Sequence, residues 1–96
     1  MKILALEEDL NSAASADSDA LLLDEARAVW KLMQAGTIRE IYFRDGPSRA
    51  VIILEAESSA EAEATLARLP LVEAGRTRFE VIGLRAYPGF ARLFAA

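Results

Sequence analysis

The chain of 96 residues contains no cysteine and no histidine. The absence of cysteine excludes disulfides, thiolate nucleophiles and cysteine-ligated metals. The absence of histidine removes the commonest metal ligand and the side chain best suited to proton transfer near neutral pH. Arginine, lysine, tyrosine and the carboxylates remain for acid–base chemistry. Since the acidic pairs along the chain lack a convergent partner, we expect neither a metal nor another cofactor.

The sequence also lacks a surplus of positive charge and any long apolar run. Eleven basic residues stand against 15 acidic ones, which gives a net charge of −4. Because nucleic-acid binding requires a concentrated basic surface, we expect no nucleic-acid partner. The apolar stretch at the amino end is shorter than the ~7–15 residues of a signal peptide, and no segment approaches the ~18 residues that span a bilayer. We therefore expect a cytoplasmic protein that does not associate with membranes.

Hydrophobic periodicity predicts six regular elements in the order β-α-β-β-α-β. The predicted strands cover 3–6, 37–44, 50–56 and 78–84; one helix covers 19–35, and a second begins after Ser58 and ends at Leu69, before Pro70. We expect a mobile loop over 7–18 and a bulge at Gly83. This order is typical of a single ferredoxin-like domain over 1–96. It is an α+β sandwich whose antiparallel sheet carries both helices on one face.

Residue alternation divides the predicted hairpin of residues 37–56 into two faces. If the turn is centred on Gly46 and Pro47, one face is almost wholly apolar and suits packing under the helices. The other face is mixed, and it comprises Ile38, Glu40, Tyr42, Arg44, Arg49, Val51, Ile53 and Glu55. Trp30 falls in the apolar stripe of the first helix, and we therefore expect it in the core.

The mixed face is too apolar to be left in water, and so is the carboxyl-terminal segment 87–96. That segment contains Phe90, Leu93 and Phe94. Exposed apolar patches of this kind usually mark a partner surface. We therefore expect a homodimer or a higher oligomer whose sheets pack face to face as a dimeric α+β barrel, with segment 87–96 packed on the partner.

A resemblance to a known family covers about residues 27–88. Gly36-Thr37-Ile38-Arg39 follows the first helix, Ser58 begins the second, and Leu69-Pro70-Leu71 ends it. In this order and spacing, these pieces resemble muconolactone isomerases, small ferredoxin-like proteins that associate through their sheets. The resemblance implies an isomerase that shifts a proton in a small anionic lactone or carbonyl compound. The alternative is a non-catalytic oligomeric module that binds a small molecule or only assembles.

The resemblance also implies a substrate-binding residue, because Arg39 matches the family's Gly-Thr-x-Arg arginine. A guanidinium group suits a carboxylate in geometry and in charge. The structural alternative for Arg39 is an ion pair with Glu25 or another carboxylate of the first helix. Arg44 and Tyr42 are further candidates for substrate binding. Their alternatives are a solvated arginine beside the turn and a tyrosine whose ring packs while its hydroxyl stays in water.

Glu40 and Glu55 are the candidate catalytic residues. Both belong to the mixed face that a dimer would enclose, where burial would raise the pKa of a carboxyl and allow it to act as a base near neutral pH. The alternative for both residues is a salt bridge with Arg49 or with an arginine of the partner.

Overall fold

The computed structural model describes residues 1–10, 17–47 and 49–95. It contains strands β1 (Lys2–Asp9), β2 (Ile38–Phe43), β3 (Ala50–Glu55) and β4 (Thr77–Leu84), helices α1 (Asp19–Gln34), α2 (Ser59–Leu66) and α3 (Pro70–Glu73), and a 3₁₀ helix (Gly89–Leu93). The strands pair antiparallel in the order β2-β3-β1-β4. The predicted ferredoxin-like α+β sandwich is confirmed. No helix within the described ranges is both long and apolar enough to cross a membrane.

Helix α1 has nearly the bounds that the sequence predicts, but the side that packs against the sheet does not include Trp30. The Ser18 hydroxyl accepts a hydrogen bond from the backbone N–H of Leu21 at 3.1 Å, and Gly36 follows the helix with a φ of +78°. The prediction that Trp30 is buried is wrong, because its side chain is 61 % exposed. The half-buried residues of α1 that pack against the core are Ala28, Val29, Leu32 and Met33, and the half-buried Glu25 interrupts this apolar stripe.

Strand β1 is longer than predicted and continues through the first residues of the expected loop 7–18. It pairs with β4 without interruption from Lys2 opposite Leu84 to Asp9 opposite Thr77. The prediction that the loop begins at residue 7 is wrong, because residues 7–9 belong to β1. Their acidic side chains have partners elsewhere in the chain, which the local composition does not reveal. Residues 11–16 of that loop lie outside the described residues.

Pro70 begins a helix as well as following one. Helix α2 ends at Leu66, and Pro70 occupies the first position of the short helix α3. Proline suits that position because it lacks an N–H that would have no partner inside the helix, and its φ is already helical. Leu69 lies between the two helices and is 2 % exposed.

The bulge lies in the first hairpin and not at Gly83. Tyr42 pairs with Val51 as predicted, but the register shifts at Arg39, so that Ile38 lies opposite Leu54. The shift moves Ile38 from the predicted mixed face into the core, where it is 1 % exposed. At Gly83 the register is continuous. A Cβ there would lie 3.0 Å from the Ser59 hydroxyl, a tight contact that a small movement of that side chain would relieve.

The core fills the space between the helices and one face of the sheet. Its buried residues are Ile3, Ala5, Ile38, Ala50, Ile52, Leu54, Ala62, Leu66 and Leu69. We call the other side of the sheet the open face; it includes Leu4, Leu6, Glu40, Tyr42, Val51, Ile53, Glu55 and Ile82. We call residues 85–95 the terminal segment. All of them are exposed except the half-buried Gly89, and the rings of Tyr87 and Phe90 pack edge to face at 5.0 Å.

Candidate functional site

A cavity of about 400 Å³ lies between α1 and the helix-covered side of the sheet. We call it the α1 pocket. Its apolar walls are Leu22, Ala26, Val29, Ile41, Phe43, Ala50, Ile52, Leu71 and Phe79. Its polar lining is Glu7, Asp9, Asp17, Glu25 and Thr77. An apolar cavity of this size with a few polar groups is the usual form of a small-molecule site.

Glu7 is held in the pocket by a backbone hydrogen bond from a neighbouring strand. Along β1 the side chains of Ile3, Ala5 and Glu7 alternate onto the helix-covered side, and Glu7 is only 7 % exposed. Pairing between β1 and β3 ends at Leu6, and one residue further on the Glu7 Oε1 atom accepts the backbone N–H of Ala50 at 2.8 Å. A buried carboxylate requires such a partner, and this bond fixes its position.

Glu25 enters the pocket from the opposite wall. Its Oε1 atom accepts the backbone N–H of Leu71 at 3.0 Å. That N–H belongs to the first turn of α3, where Leu69 supplies no side-chain cap. Burial raises the pKa of the Glu25 carboxyl above its ordinary 4.5; the Leu71 hydrogen bond opposes this shift, and the negative charge of Glu7 adds to it.

The pocket contains acidic side chains but is lined by no lysine or arginine among the described residues. Asp9 and Asp17 are neutralised by ion pairs with Arg49 and Arg76, each at 3.2 Å. Glu7 and Glu25 are instead held by backbone N–H groups. Two carboxylates that interact electrostatically and face an apolar cavity form an arrangement suited to proton transfer, because the second charge and the burial make one of them a stronger base.

Thr77 contributes the remaining polar group. It begins β4 opposite Asp9 and on the same side of the sheet as Glu7. The residue is 6 % exposed, and its Oγ1 atom has no hydrogen-bond partner within the described part of the chain. A buried hydroxyl in that condition is rare in folded proteins.

The predicted catalytic residues Glu40 and Glu55 lie on the open face. The Tyr42 hydroxyl donates a hydrogen bond to Glu40 Oε1 at 2.7 Å, and this bond, together with the charge of Glu40, raises the pKa of the tyrosine. Glu55 Oε2 lies 3.1 Å from the amino group of Met1. Arg49 pairs with Asp9, so the alternative in which it bridges to either glutamate is not formed within this chain.

The two predicted substrate-binding arginines are exposed. Arg39 is the second residue of β2, and Arg44 directly follows the strand. The Arg39 side chain extends from the bulge and donates from Nε to the carbonyl oxygen of Gly36 at 2.6 Å. No ion pair joins Arg39 to Glu25 or to another described carboxylate of α1, so the structural alternative for Arg39 is not formed among these residues. Arg44 follows β2 and is exposed. None of the five predicted site residues lines the α1 pocket; their functional roles stay predictions.

The sequence reasoning did not identify the pocket's own polar residues. A signal for two of them exists. Glu7 continues the alternation of Ile3 and Ala5, and Glu25 lies in line with Ala28 and Leu32 on α1, so each glutamate occupies a core-facing position of an apolar pattern. A carboxylate at such a position is seldom buried without a specific partner or a function. Thr77 also continues an alternation, that of Phe79 and Val81 on β4, but as an uncharged residue it is a weaker signal than a carboxylate.

The fold and the pocket together define a small α+β sandwich with paired acidic groups in an apolar cavity. The sequence profile described as muconolactone delta-isomerase matches residues 5–89. The chain belongs to the muconolactone delta-isomerase family.

Two solved structures share the fold. The crystal structure of muconolactone isomerase matches with a TM-score of 0.75 and 23 % identity, over 92 % of each chain. The 5-chloro-2-hydroxyhydroquinone dehydrochlorinase of Burkholderia phenoliruptrix AC1100, in complex with 2,5-dihydroxybenzoquinone, matches with a TM-score of 0.59 and 17 % identity, over 93 % of this chain and 98 % of that one. No curated protein sequence matches the chain.

Proposed function

We propose that this protein is an isomerase that moves a proton between two carbon atoms of a small lactone or carbonyl compound bound in the α1 pocket. The observation that carries the proposal is the pair formed by Glu7 and Glu25, which face one apolar cavity that no basic side chain of the described residues lines. Membership of the muconolactone delta-isomerase family supports the same class of reaction.

In the proposed reaction Glu25 is the base. Its raised pKa makes it a better proton acceptor, and most of the residues that line the pocket around it are apolar. The Glu25 carboxylate takes a proton from a carbon conjugated to the carbonyl group, and the electron pair of the broken C–H bond delocalises onto the carbonyl oxygen. Return of a proton from the Glu25 carboxyl to a different carbon completes the shift, and exchange of the carboxyl proton with solvent before its return replaces it with deuterium in D₂O. Glu7, fixed by Ala50, raises the pKa of Glu25 through its charge.

An anionic substrate would place its charged end towards Arg49 and Arg76. These two arginines form ion pairs with the lining residues Asp9 and Asp17, and the charged groups of the described residues that line the pocket are all carboxylates. A carboxylate buried beside Glu7 and Glu25 would be repelled, so the reacting part of the substrate is its uncharged part.

The open face is the second candidate location. If another copy of the chain covers it, Glu40 and Glu55 become enclosed together with Tyr42, while Arg39 and Arg44 lie at its border. In one copy Glu40 accepts from Tyr42 and Glu55 pairs with the Met1 amino group, so both glutamates already have partners. The open face is therefore the alternative site, and the experiment below distinguishes it from the α1 pocket.

Proton exchange in D₂O, followed by ¹H NMR, tests the proposal. The substrates are muconolactone and α-angelica lactone, a neutral lactone that undergoes the same kind of proton shift. We expect wild-type protein to accelerate loss of a C–H signal, and Glu25→Gln to reduce the rate by roughly 10²–10⁴-fold, the usual contribution of a general base. Glu40→Gln and Glu55→Gln are the matched controls, which should exchange at the wild-type rate.

The outcomes separate the alternatives. Exchange that survives Glu25→Gln but is lost in Glu40→Gln or Glu55→Gln would move the site to the open face. Binding of the lactones without exchange in wild-type protein would favour the non-catalytic binding module. The predicted cytoplasmic location stays a prediction that this experiment does not address.

We further propose that the protein is a homo-oligomer in which a second copy covers the open face and packs against the terminal segment. Tyr42 is 58 % exposed on the open face, and Phe90, Leu93 and Phe94 are 66, 75 and 84 % exposed on the terminal segment. The two apolar surfaces belong to the same chain, so one two-fold contact could remove both from water. Contiguous apolar surfaces of this kind are typical of interaction sites.

A further inference from the structure

Strand β4 forms one border of the sheet, and no strand of the described residues pairs with its outer edge. The strand order is β2-β3-β1-β4, so β4 has a neighbour only on the β1 side. It runs for eight residues without a proline or a register shift. The free N–H and C=O groups of such an edge can pair with a strand of another molecule, and natural proteins usually shorten or interrupt an edge to prevent this. The outer edge of β4 is therefore a candidate contact surface.

The hydrogen bonds of β1 show which residues of β4 direct their backbone groups outward. Ala56 donates to the carbonyl oxygen of Met1 at 3.2 Å, and Leu10 donates to the carbonyl oxygen of Arg76 at 3.0 Å. Because the bonded positions of an antiparallel pair alternate, the odd-numbered residues of β1 bond to β3 and the even-numbered ones to β4. The even-numbered residues of β4 therefore bond to β1, and the outward backbone groups belong to Thr77, Phe79, Val81 and Gly83.

The charges of β4 select one register for an antiparallel pair of two copies. With a two-fold axis at Phe79, the outward groups of the two strands meet, and Arg78 lies opposite the partner's Glu80 on both sides of the axis. An axis at Arg78 or at Glu80 would place that residue against its own copy, so like charges would meet. An axis at Val81 would place Glu80 opposite the partner's Ile82. The register centred on Phe79 is thus the one that pairs opposite charges.

Both charged side chains have capacity for this contact. Arg78 and Glu80 are exposed and lie on the open-face side of the sheet. Arg78 contacts Glu8 Oε2 through Nη2 at 2.8 Å and Nε at 2.9 Å, and a guanidinium group has five N–H donors, so further donors remain for a second carboxylate. Glu80 forms no ion pair with a described residue.

The same register brings the two Phe79 side chains together on the helix-covered side. Phe79 is half-buried and borders a groove of about 170 Å³, whose other walls include Leu66 of α2 and Val72 of α3. An aromatic ring of a second copy suits an apolar groove of this kind. Because Phe79 also lines the α1 pocket, the contact adjoins the pocket wall.

We propose that two copies of the chain pair antiparallel along β4, with the two-fold axis at Phe79 and with two ion pairs between Arg78 and the partner's Glu80. The two sheets then form one continuous sheet. A pairing this short buries less surface than the about 1,200 Å² of the smallest stable interfaces, so it joins copies that the open face has already brought together. The strength of the contact in solution therefore rests on the proposed open-face association, whereas its register does not.

Disulfide trapping tests the register, and the absence of cysteine from the chain makes every introduced thiol unique. In a mixture of Arg78→Cys and Glu80→Cys the two thiols lie directly opposite each other, about 4.5 Å apart at their Cα atoms, which suits a disulfide. The second Arg78–Glu80 ion pair is kept in this mixture. Since pairing holds the thiols together, we expect the oxidised mixture to form covalent dimers at least about tenfold faster than either variant alone.

The matched control is a mixture of Arg78→Cys and Ile82→Cys. Both positions lie on the same face of the same edge, but they are opposite each other only if the axis passes through Glu80. This mixture should form covalent dimers no faster than Arg78→Cys alone. Equal rates in the two mixtures would overturn the proposed register.

A charge exchange, followed by light scattering at high protein concentration, provides a second readout. Arg78→Glu places like charges opposite each other and should lower the molar mass towards that of the open-face dimer. Arg78→Glu/Glu80→Arg restores opposite charges and should recover the wild-type mass. Both variants lose the ion pair between Arg78 and Glu8, so the difference between them reports the contact between chains. The same mass in both variants would contradict the proposal.

Failure of the β4 pairing is distinguishable from failure of the open-face association. If Phe90→Ser/Phe94→Ser lowers the molar mass but cross-linking does not depend on register, the β4 pairing is wrong and the open-face association stands. If cross-linking follows the register while Phe90→Ser/Phe94→Ser leaves the mass unchanged, β4 carries the contact and the open face does not. Neither result depends on proton exchange, so the isomerase is judged separately.

Discussion

Glu7 and Glu25 show how a single charged residue at a core-facing position can define a site. Each is held by one backbone N–H, from Ala50 and Leu71 respectively, and neither forms an ion pair with a described residue. A hydrogen bond from a neutral N–H positions a carboxylate without cancelling its charge. Burial is the main reason why the pKa of Glu25 is raised, and the uncancelled negative charge of Glu7 adds to that shift.

The raised pKa of Glu25 predicts a specific pH dependence of stability. The folded state holds the Glu25 proton more tightly than the unfolded state does. Below the unfolded-state pKa of 4.5, Glu25 is protonated in both states. As the pH rises through the folded-state pKa, the carboxyl ionises in a buried position, and the free energy of unfolding of the wild-type protein decreases. Thermal melts of Glu25→Gln, which stays neutral, should therefore show a melting temperature that increases relative to wild type from pH 4 to pH 7.

The matched control for these melts is Glu57→Gln, since Glu57 is exposed and lies between β3 and α2. Its melting temperature should follow that of wild-type protein over the same pH range. Parallel curves for Glu25→Gln and wild type would contradict the assignment of a raised pKa to Glu25.

Among the secondary-structure elements, the bulge in β2 decides which residues reach the core. Successive side chains of a strand point to alternate faces of the sheet only while the pairing register is unbroken. The extra residue at Arg39 shifts the register, so Ile38 points to the face opposite to the one that unbroken alternation predicts. Ile38 consequently packs under the helices, while Ile53 on the neighbouring strand stays on the open face. The bulge also turns the Arg39 side chain outward, away from the α1 pocket.

This placement predicts different costs for two isoleucine truncations. Ile38→Ala should lower the free energy of unfolding by about 2–5 kcal/mol, because it removes buried methyl groups and leaves a cavity. Ile53→Ala, at a half-buried position, should cost only ~1 kcal/mol. Urea unfolding at low protein concentration measures both values. Equal costs, or a larger cost for Ile53→Ala, would contradict the shifted register.

For the molecule as a whole, the terminal segment and the open face raise the question of self-association. Neither surface has a helix or strand of the same chain packed over it in the described structure, although each carries large apolar side chains. The two surfaces lie outside the core, so a change there should affect assembly more than the stability of one chain.

We therefore predict that Phe90→Ser/Phe94→Ser reduces the molar mass measured by light scattering after size-exclusion chromatography. Wild-type protein should elute with at least twice the mass of one chain, and its melting temperature should rise with protein concentration because association stabilises the folded state. The double variant should lose this concentration dependence.

Leu23→Ser is the matched control for the association experiment. Leu23 is an exposed leucine, 51 % accessible, on α1 and away from both proposed contact surfaces. Its substitution should leave the mass unchanged. A wild-type protein with the mass of one chain would refute the proposed oligomer.

The amino-acid sequence was sufficient to predict the order of the four strands and the first two helices, the bounds of the first helix to within one residue, and the apolar strands of the sheet. Each of these depends on local propensity or on the period of an apolar pattern, and both are properties of neighbouring residues. The family resemblance carried by Gly36-Thr37-Ile38-Arg39 and Leu69-Pro70-Leu71 was confirmed by the profile match over residues 5–89.

The α1 pocket depended on contacts between residues far apart in the chain. Glu7 was assigned to a loop because its polar neighbours resemble loop composition, yet the N–H of Ala50, 43 positions away, makes its burial possible. Glu25 has its hydrogen bond 46 positions away at Leu71, and Thr77 is unpaired only because of what the folded chain leaves around it. Burial of a polar group is decided by its partners, and tertiary packing selects those partners across distances that no local pattern encodes.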